Sequence, residues 1–396
     1  MCIGLWFNDG MTSRSRDALV PPDAVELLRL LRNGRPRTRA QLADETGLAR
    51  STVAGRLDAL MTSGLVTAAR DAASTGGRPP GQVRFNPGAG IVIAIDLGAT
   101  HGVVALCDLA GAVLRSEQSD LNIADGPVPV LTWAIGTAKR LLRTSGHTAS
   151  DVAGVGIGVP GPVEHSTGMP INPPIMPGWD RFDVPGHIAR TFDAPVLVDN
   201  DVNVLALGEH AVAWPDQGEL LFVKVSTGIG AGIISGGRLQ RGAQGSAGDL
   251  GHVRVPFSRD TPQHGDADAD LEALASGPAI ARWLTSQGTP ARTAHDVVAL
   301  AKGGDQTAIA ALRQAGRDLG EVVATCVNLL NPSVVVIGGS VARAGEHLLA
   351  GVREIVYRQS TPLATQHLHI VQAGAGALGG VLGAATMITQ HLLDPV

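Results

Sequence analysis

From Asp23 to Leu60 the apolar positions recur at helical spacing. Asp23-Ala-Val-Glu26 precedes Val25, Leu27, Leu28, Leu30 and Leu31, and an Asp three residues before a Glu is a capping box, so a first helix is expected to end near Asn33-Gly34. Thr38-Arg-Ala-Gln41 offers a second box before Leu42 and Ala43, and Gly47 breaks that helix. The next segment places Val53, Leu57 and Leu60 on one inward stripe and leaves Arg50, Ser51, Thr52 and Arg56 on the outward face. The pattern predicts helix, tight turn, helix. A stretch rich in Gly, Ser and Pro, Ser74 to Gly81, then leads to Gln82-Val-Arg-Phe85, as the wing of a winged helix-turn-helix would.

From residue 89 the pattern changes to apolar runs of strand length that end in glycine-rich turns. Ile91 to Ile95 runs into Asp96-Leu-Gly-Ala-Thr100, and Val103 to Cys107 returns as a second strand. Leu220-Leu-Phe-Val-Lys-Val225 runs into Ser226-Thr-Gly-Ile-Gly-Ala-Gly232 before Ile233 and Ile234. Val334 to Ile337 meets Gly338-Gly339 ahead of a helix from about Ala344. Glycine turns after strands let a ligand approach the backbone, and their exposed N–H groups suit phosphate. The candidate phosphate-holding residues are Asp96, Gly98, Thr100, Thr227, Gly228, Gly230, Gly338 and Gly339.

Charge sharpens this division. The 396 residues carry a net charge of -5, which taken whole argues against a nucleic-acid partner. Residues 1 to 90 hold 12 Arg and no Lys against 8 acidic residues, a balance of +4, which leaves -9 for the remainder. Only the basic module is then expected to meet the phosphates of a nucleic acid. Thr38, Arg50, Ser51, Thr52 and Arg56 are the candidate DNA contacts in the helical part, where a recognition helix would enter the major groove. Arg78, between Gly77 and two prolines, suits a narrow minor groove. A protein-binding helical hairpin followed by a linker is the plainer alternative.

Cys2, Cys107 and Cys326 are the three cysteines, too few and too scattered for a disulfide framework, and a reducing cytoplasm is expected. No apolar run is long enough to span a bilayer, so no membrane partner is expected. Residues 1 to 20, with a second methionine at Met11, show no periodicity and read as a disordered tail or a start-site ambiguity.

The order of the three turns resembles the ROK family of repressors and sugar kinases over residues 89 to 396. That resemblance implies an α/β body of two lobes with the actin-like, hexokinase-like (ribonuclease H-like) fold. Lobes of 89 to 200 plus 381 to 396 and of 201 to 380 would follow a winged helix-turn-helix at 21 to 88. Asp96 to Thr100 and Ser226 to Gly232 look like the family's two phosphate motifs, and Val336-Ile-Gly-Gly339 looks like its adenosine motif. Ala99 and His101 depart from the first of these.

The resemblance also assigns a sugar site. Asn172, Asn200 and Asp201 would meet hydroxyls, and Asp201 would also be the general base of an active kinase. Asp249 stands where the family has glutamate in its Glu-x-Gly-His element, with His252 completing the element and Glu272 as the last contact. Capping of a helix after Val196 to Val198 is the alternative role for Asn200 and Asp201. The family's thiolate zinc loop is here Pro262 to Asp270, without cysteine, so that zinc site is lost and no cofactor is required. His252, His264, Asp266, Asp268 and Asp270 are weak candidates for a harder metal site, and a solvated acidic loop is the simpler reading.

The expected function is a sugar-responsive transcriptional regulator, a repressor, acting on a palindromic operator as a homodimer or higher oligomer. The alternative is a sugar kinase with an appended DNA-binding domain, for which ATP and magnesium would be needed.

Overall fold

The computed structural model describes residues 19–69, 81–255 and 270–394. They divide into two units, one up to Gly90 together with Thr389 onward, the other Ile91–Ile388.

In the first unit a 3-10 turn at Pro22–Ala24 leads into α1 (Val25–Leu31). The capping box expected at Asp23 does not form, because Ala24 is the N-cap and no side chain caps it. Asp23 falls inside the preceding turn, and its carboxylate pairs with Arg56 instead. After β1 (Arg37–Thr38), the second box caps α2 (Arg39–Thr46). Thr38 Oγ1 accepts from the Gln41 N–H at 3.2 Å, and Gln41 Oε1 accepts from the Thr38 N–H at 2.8 Å. Gly47 ends α2 at φ 68°, a left-handed conformation that costs glycine little, and turns the chain into α3 (Arg50–Thr62). β2 (Val66–Ala68) and β1 flank β3 (Gln82–Phe85), both antiparallel to it. Leu27, Leu28, Leu31, Leu42, Leu57 and Leu60 are fully buried, each worth about 1.5–3 kcal/mol of transfer from water.

The carboxyl-terminal residues join this unit. The Leu19 N–H donates to the Leu392 carbonyl at 3.0 Å, and Arg29 pairs with Asp394 at 2.5 Å. Sequence reasoning had no signal for this and places 381 to 396 wholly in the first lobe.

The second unit builds one pattern twice. β4 (Ile91–Leu97), β5 (His101–Asp108) and β6 (Val113–Asp120) form an antiparallel meander. Helix α4 (Pro127–Thr144) follows, and β7 (Val152–Val159) lies parallel to β4. After a small ribbon, β8 (Val163–Glu164) with β9 (Met169–Pro170), and α5 (Val184–Ala189), β10 (Val196–Asn200) adds parallel to β7. Helix α6 (Asp201–Ala213) leads to the second sheet. There β11 (Leu220–Val225), β12 (Ile229–Ser235) and β13 (Arg238–Gln240) form the antiparallel part. Helices α7 (Leu271–Ala275), α8 (Gly277–Ser286), α9 (Ala294–Lys302) and α10 (Gln306–Leu330) precede β14 (Val334–Gly338). After α11 (Glu346–Gln359) and α12 (Pro362–Thr365), β15 (His369–Gln372) completes the sheet before α13 (Gly379–Leu393).

The orders β10-β7-β4-β5-β6 and β15-β14-β11-β12-β13 are the same arrangement, a three-stranded meander extended by two parallel strands. Their apolar faces fill two cores, one around Ile93, Ile95 and Ile157, the other around Val223, Val335 and Ile337. Helices α6 and α13 cross backbone to backbone, since a Cβ on Gly208 would stand 2.1 Å from the Gly379 carbonyl oxygen and one on Gly383 would stand 1.7 Å from that of Val204. That crossing brings the first turns of both helices to the end of β4.

Candidate ligand cleft and nucleic-acid interface

In the helix-turn-helix, Arg50, Ser51 and Thr52 are exposed in the first turn of α3, as the stripe of Val53, Leu57 and Leu60 requires. Arg56 differs from the sequence expectation. It is half-buried, with Nε 3.6 Å from Asp23 Oδ2 and no hydrogen-bond partner for that nitrogen, so it serves the packing of α3 against the Pro22–Ala24 turn. Thr38 is committed to capping. Arg78 lies outside the described residues.

In the second unit, the end of β4 and the start of α6 bring Asp96 and Asp201 together. Both are buried. Asp201 is the first residue of α6, and Asn200 is its N-cap, with Oδ1 accepting from the Val202 N–H at 2.9 Å. The Asn200 amide also donates to the Gly161 carbonyl at 2.9 Å, so capping and anchoring occupy much of a side chain expected to meet a sugar. The Lys224 ammonium, on β11, hydrogen-bonds to Asp201. Asp96 lies against the first turn of α13, where a Cβ on Gly380 would stand 2.0 Å from its Oδ2. Burial, and then the neighbouring Asp201 charge, push the Asp96 carboxyl up to about 6 against the opposing pull of Lys224.

The glycine turns are occupied by the chain's own side chains. The His101 ring covers Gly98, 2.3 Å from where a Cβ would be, and the Gly98 N–H donates to the His101 carbonyl at 2.8 Å. Burial, then Lys224, hold the His101 imidazole below its ordinary range. At the second turn Glu272 Oε2 accepts from the Ile229 N–H at 3.0 Å and would meet a Cβ on Gly228 at 2.7 Å. Thr227 is exposed beside it. At the third turn Gly338 closes β14 opposite Lys224, and Gly339 stands at φ 91° where a Cβ would strike the Val225 carbonyl. Thr100 is exposed in the first turn.

Glu272 also gathers the Gly248 to His252 element. Its backbone N–H donates to the Gly251 carbonyl at 2.9 Å, and Gly248 accepts from the Ala231 N–H at 2.7 Å. Asp249 and His252 are exposed. His252 Nδ1 stands 3.3 Å from Asp270 Oδ2, and that hydrogen bond, with the Asp249 charge, raises its pKa. Asn172 is exposed at φ 43°, and its N–H donates to Asp180 Oδ1 at 2.8 Å.

Three anchors lay beyond sequence reasoning. Asp199, buried at the end of β10, accepts from Arg241 Nε at 2.6 Å and from Asn203 Nδ2 at 2.8 Å. Lys224 carried a signal that could have found it, since it is the one charged residue in the apolar run Leu220 to Val225. Asp180, eight residues past Asn172, carried none.

The zinc implied by the resemblance does not fit the donor set, which among the described residues offers no thiolate near His252. Cys107 is buried in β5 and Cys326 is half-buried in α10. Among the described residues no three His, Cys, Asp or Glu side chains are gathered for a metal, while His264, Asp266 and Asp268 lie outside them. Among the described residues, too, no helix is long and apolar enough to cross a membrane.

Comparison with known proteins gives the family of the body and of the helix-turn-helix. The ROK family model matches residues 92–391, and an IclR helix-turn-helix domain model matches residues 24–70. A xylose repressor of Caldicellulosiruptor bescii is 29% identical over 371 residues, covering 90% of this chain and 92% of its own. A glucokinase of Halalkalibacterium halodurans is 30% identical over 319 residues, covering 76% of this chain and 95% of its own. The crystal structure of a ROK family transcriptional regulator, a homolog of the Escherichia coli Mlc protein, superposes with a TM-score of 0.80 at 25% identity, covering 94% of this chain and 96% of that one. The repressor matches therefore span both units, whereas the glucokinase match spans about the length of the body. This chain, a helix-turn-helix followed by an actin-like body, belongs to the ROK family.

Proposed function

We propose that this chain is a sugar-responsive transcriptional repressor that acts in the cytoplasm as a homodimer on a palindromic operator. The observation that carries the reading is the pairing of a capped helix-turn-helix, with Arg50, Ser51 and Thr52 exposed on α3, with a ROK body in one chain. The xylose repressor is similar over that whole combination.

In this reading the sugar is met by Asp249, His252 and Glu272 from one side and by Asn172 and Asn200 from the other. Asp249 is shorter than glutamate by one methylene, which sets its oxygens about 1.5 Å back from the hydroxyls they accept from and changes which sugar fits. Exposed Leu329 and Leu363, at 80% and 78%, suit a surface covered by a second copy. A sugar shifts the DNA-bound state only by its unequal affinity for two conformations, and a coupling of about 1–3 kcal/mol gives roughly 5- to 150-fold.

The test is fluorescence anisotropy of the full chain on duplexes it selects from a random pool, with xylose, glucose and N-acetylglucosamine titrated in. Sugar-dependent release from a symmetric site supports the reading. Binding that no sugar alters, or no selected site, removes it.

A further inference from the structure

Lys224 is placed unusually for a charged side chain. It stands on the central strand of the second sheet, opposite Gly230 on one neighbour and Gly338 on the other. The rows beside it therefore belong to glycines of two of the three turns, and no neighbouring side chain crowds it along the sheet. Its ammonium reaches the start of α6 and bonds to Asp201, whose side chain is 6% exposed. Asp96 shares the same electrostatic field. Two buried carboxylates at the end of a glycine-turn cleft are a natural seat for a divalent cation, which prefers hard oxygen ligands and would carry nucleotide phosphates with it.

We infer that Lys224 is the resident cation of this cleft: its ammonium takes the place at Asp201 that a metal-nucleotide complex would need, so that the cleft serves its sugar without metal or nucleotide.

The other turns agree. A phosphate approaching the first meets the His101 ring over Gly98. At the second it meets the Glu272 carboxylate, which already holds the Ile229 N–H and repels an anion. Magnesium-ATP therefore does not fit the residues present, and a sugar hydroxyl approaching Asp201 competes with the Lys224 ammonium for the carboxylate. An ammonium also differs from a bound metal in being tethered to the chain, so the affinity for a sugar is expected to be independent of divalent ions. The inference concerns the nucleotide end of the cleft and stands apart from the repressor reading.

The test uses the full chain and manganese as the probe, followed by electron paramagnetic resonance, with wild type, Lys224→Met, and Lys224→Met combined with Asp201→Asn. The expected result is that Lys224→Met binds manganese at least tenfold more tightly than wild type and that adding Asp201→Asn removes the gain. A Lys224→Met chain that unfolds cooperatively but gains no manganese site overturns the inference. A second measurement needs no variant: equilibrium dialysis of wild type against manganese-ATP. No binding above that of ATP alone is expected, and saturable metal-dependent binding overturns the inference.

Discussion

The Arg241 guanidinium donates to the Asp199 carboxylate at 2.6 Å, tying the loop that leads to the Gly248–His252 element to the strand that ends at Asn200. Asp199 is 4% exposed at its side chain, so removing its partner strands a buried charge. Arg241→Ala is expected to lower unfolding free energy by about 3–5 kcal/mol, measured by urea denaturation. A loss below about 1 kcal/mol would show the pair to be solvated.

Glu272 links the candidate sugar site to the second glycine turn. In Glu272→Gln the amide oxygen can still accept from Ile229, while charge-assisted bonds to hydroxyls are lost. Because hydrogen bonds to charged groups contribute about 1.5–3 kcal/mol, sugar affinity should fall roughly 10- to 100-fold, with little change in melting temperature. Calorimetry showing unchanged sugar affinity would remove Glu272 from the site.

Asp96 makes stability depend on pH in an uncommon direction. Its carboxyl is raised from 3.8 to about 6 in the folded chain, so between those values the folded state holds a proton that the unfolded state has lost. Stability from this group is present below pH 3.8 and lost as pH rises towards 6, at about 1.4 kcal/mol per pKa unit. Asp96→Asn should remove that slope and unfold at a higher temperature than wild type at pH 7. An identical pH profile for the two proteins would contradict the assignment.

The two arginines of α3 should separate by assay. Arg50→Ala is expected to weaken operator binding and to reduce the salt dependence, by about one unit of log slope for a lost phosphate contact, with stability unchanged. Arg56→Ala is expected to destabilise the amino-terminal unit by about 1–2 kcal/mol, because the side chain packs and pairs with Asp23. Equal loss of DNA affinity at unchanged stability in both variants would mean that Arg56 turns outward to the DNA.

Sequence reading captured what repeats or caps. Thr38 to Gln41 announced a helix start because a capping box is local chemistry, and the three glycine turns were legible because strand runs end in them. What it missed depends on contacts distant in sequence. Lys224 and Asp201 are 23 residues apart, and Asp199 and Arg241 are 42 apart, with no periodic pattern to connect either pair. Asp23 was misplaced for a related reason. The box Asp23 to Glu26 is locally sound, but Pro21 and Pro22 start a 3-10 turn earlier, so Asp23 falls inside that turn and Ala24 takes the N-cap place. The placement of residues from Thr389 with the amino-terminal unit was likewise invisible, because a helix pattern does not say which core receives each part of it.

The most direct test of the account is operator affinity of the full chain with and without saturating sugar, for wild type and Glu272→Gln side by side. The account predicts that sugar weakens wild-type binding roughly 5-fold or more, that the variant binds the operator as wild type does without sugar, and that its response shifts to higher sugar concentration. Operator binding that is equal with and without every sugar in wild type would contradict it.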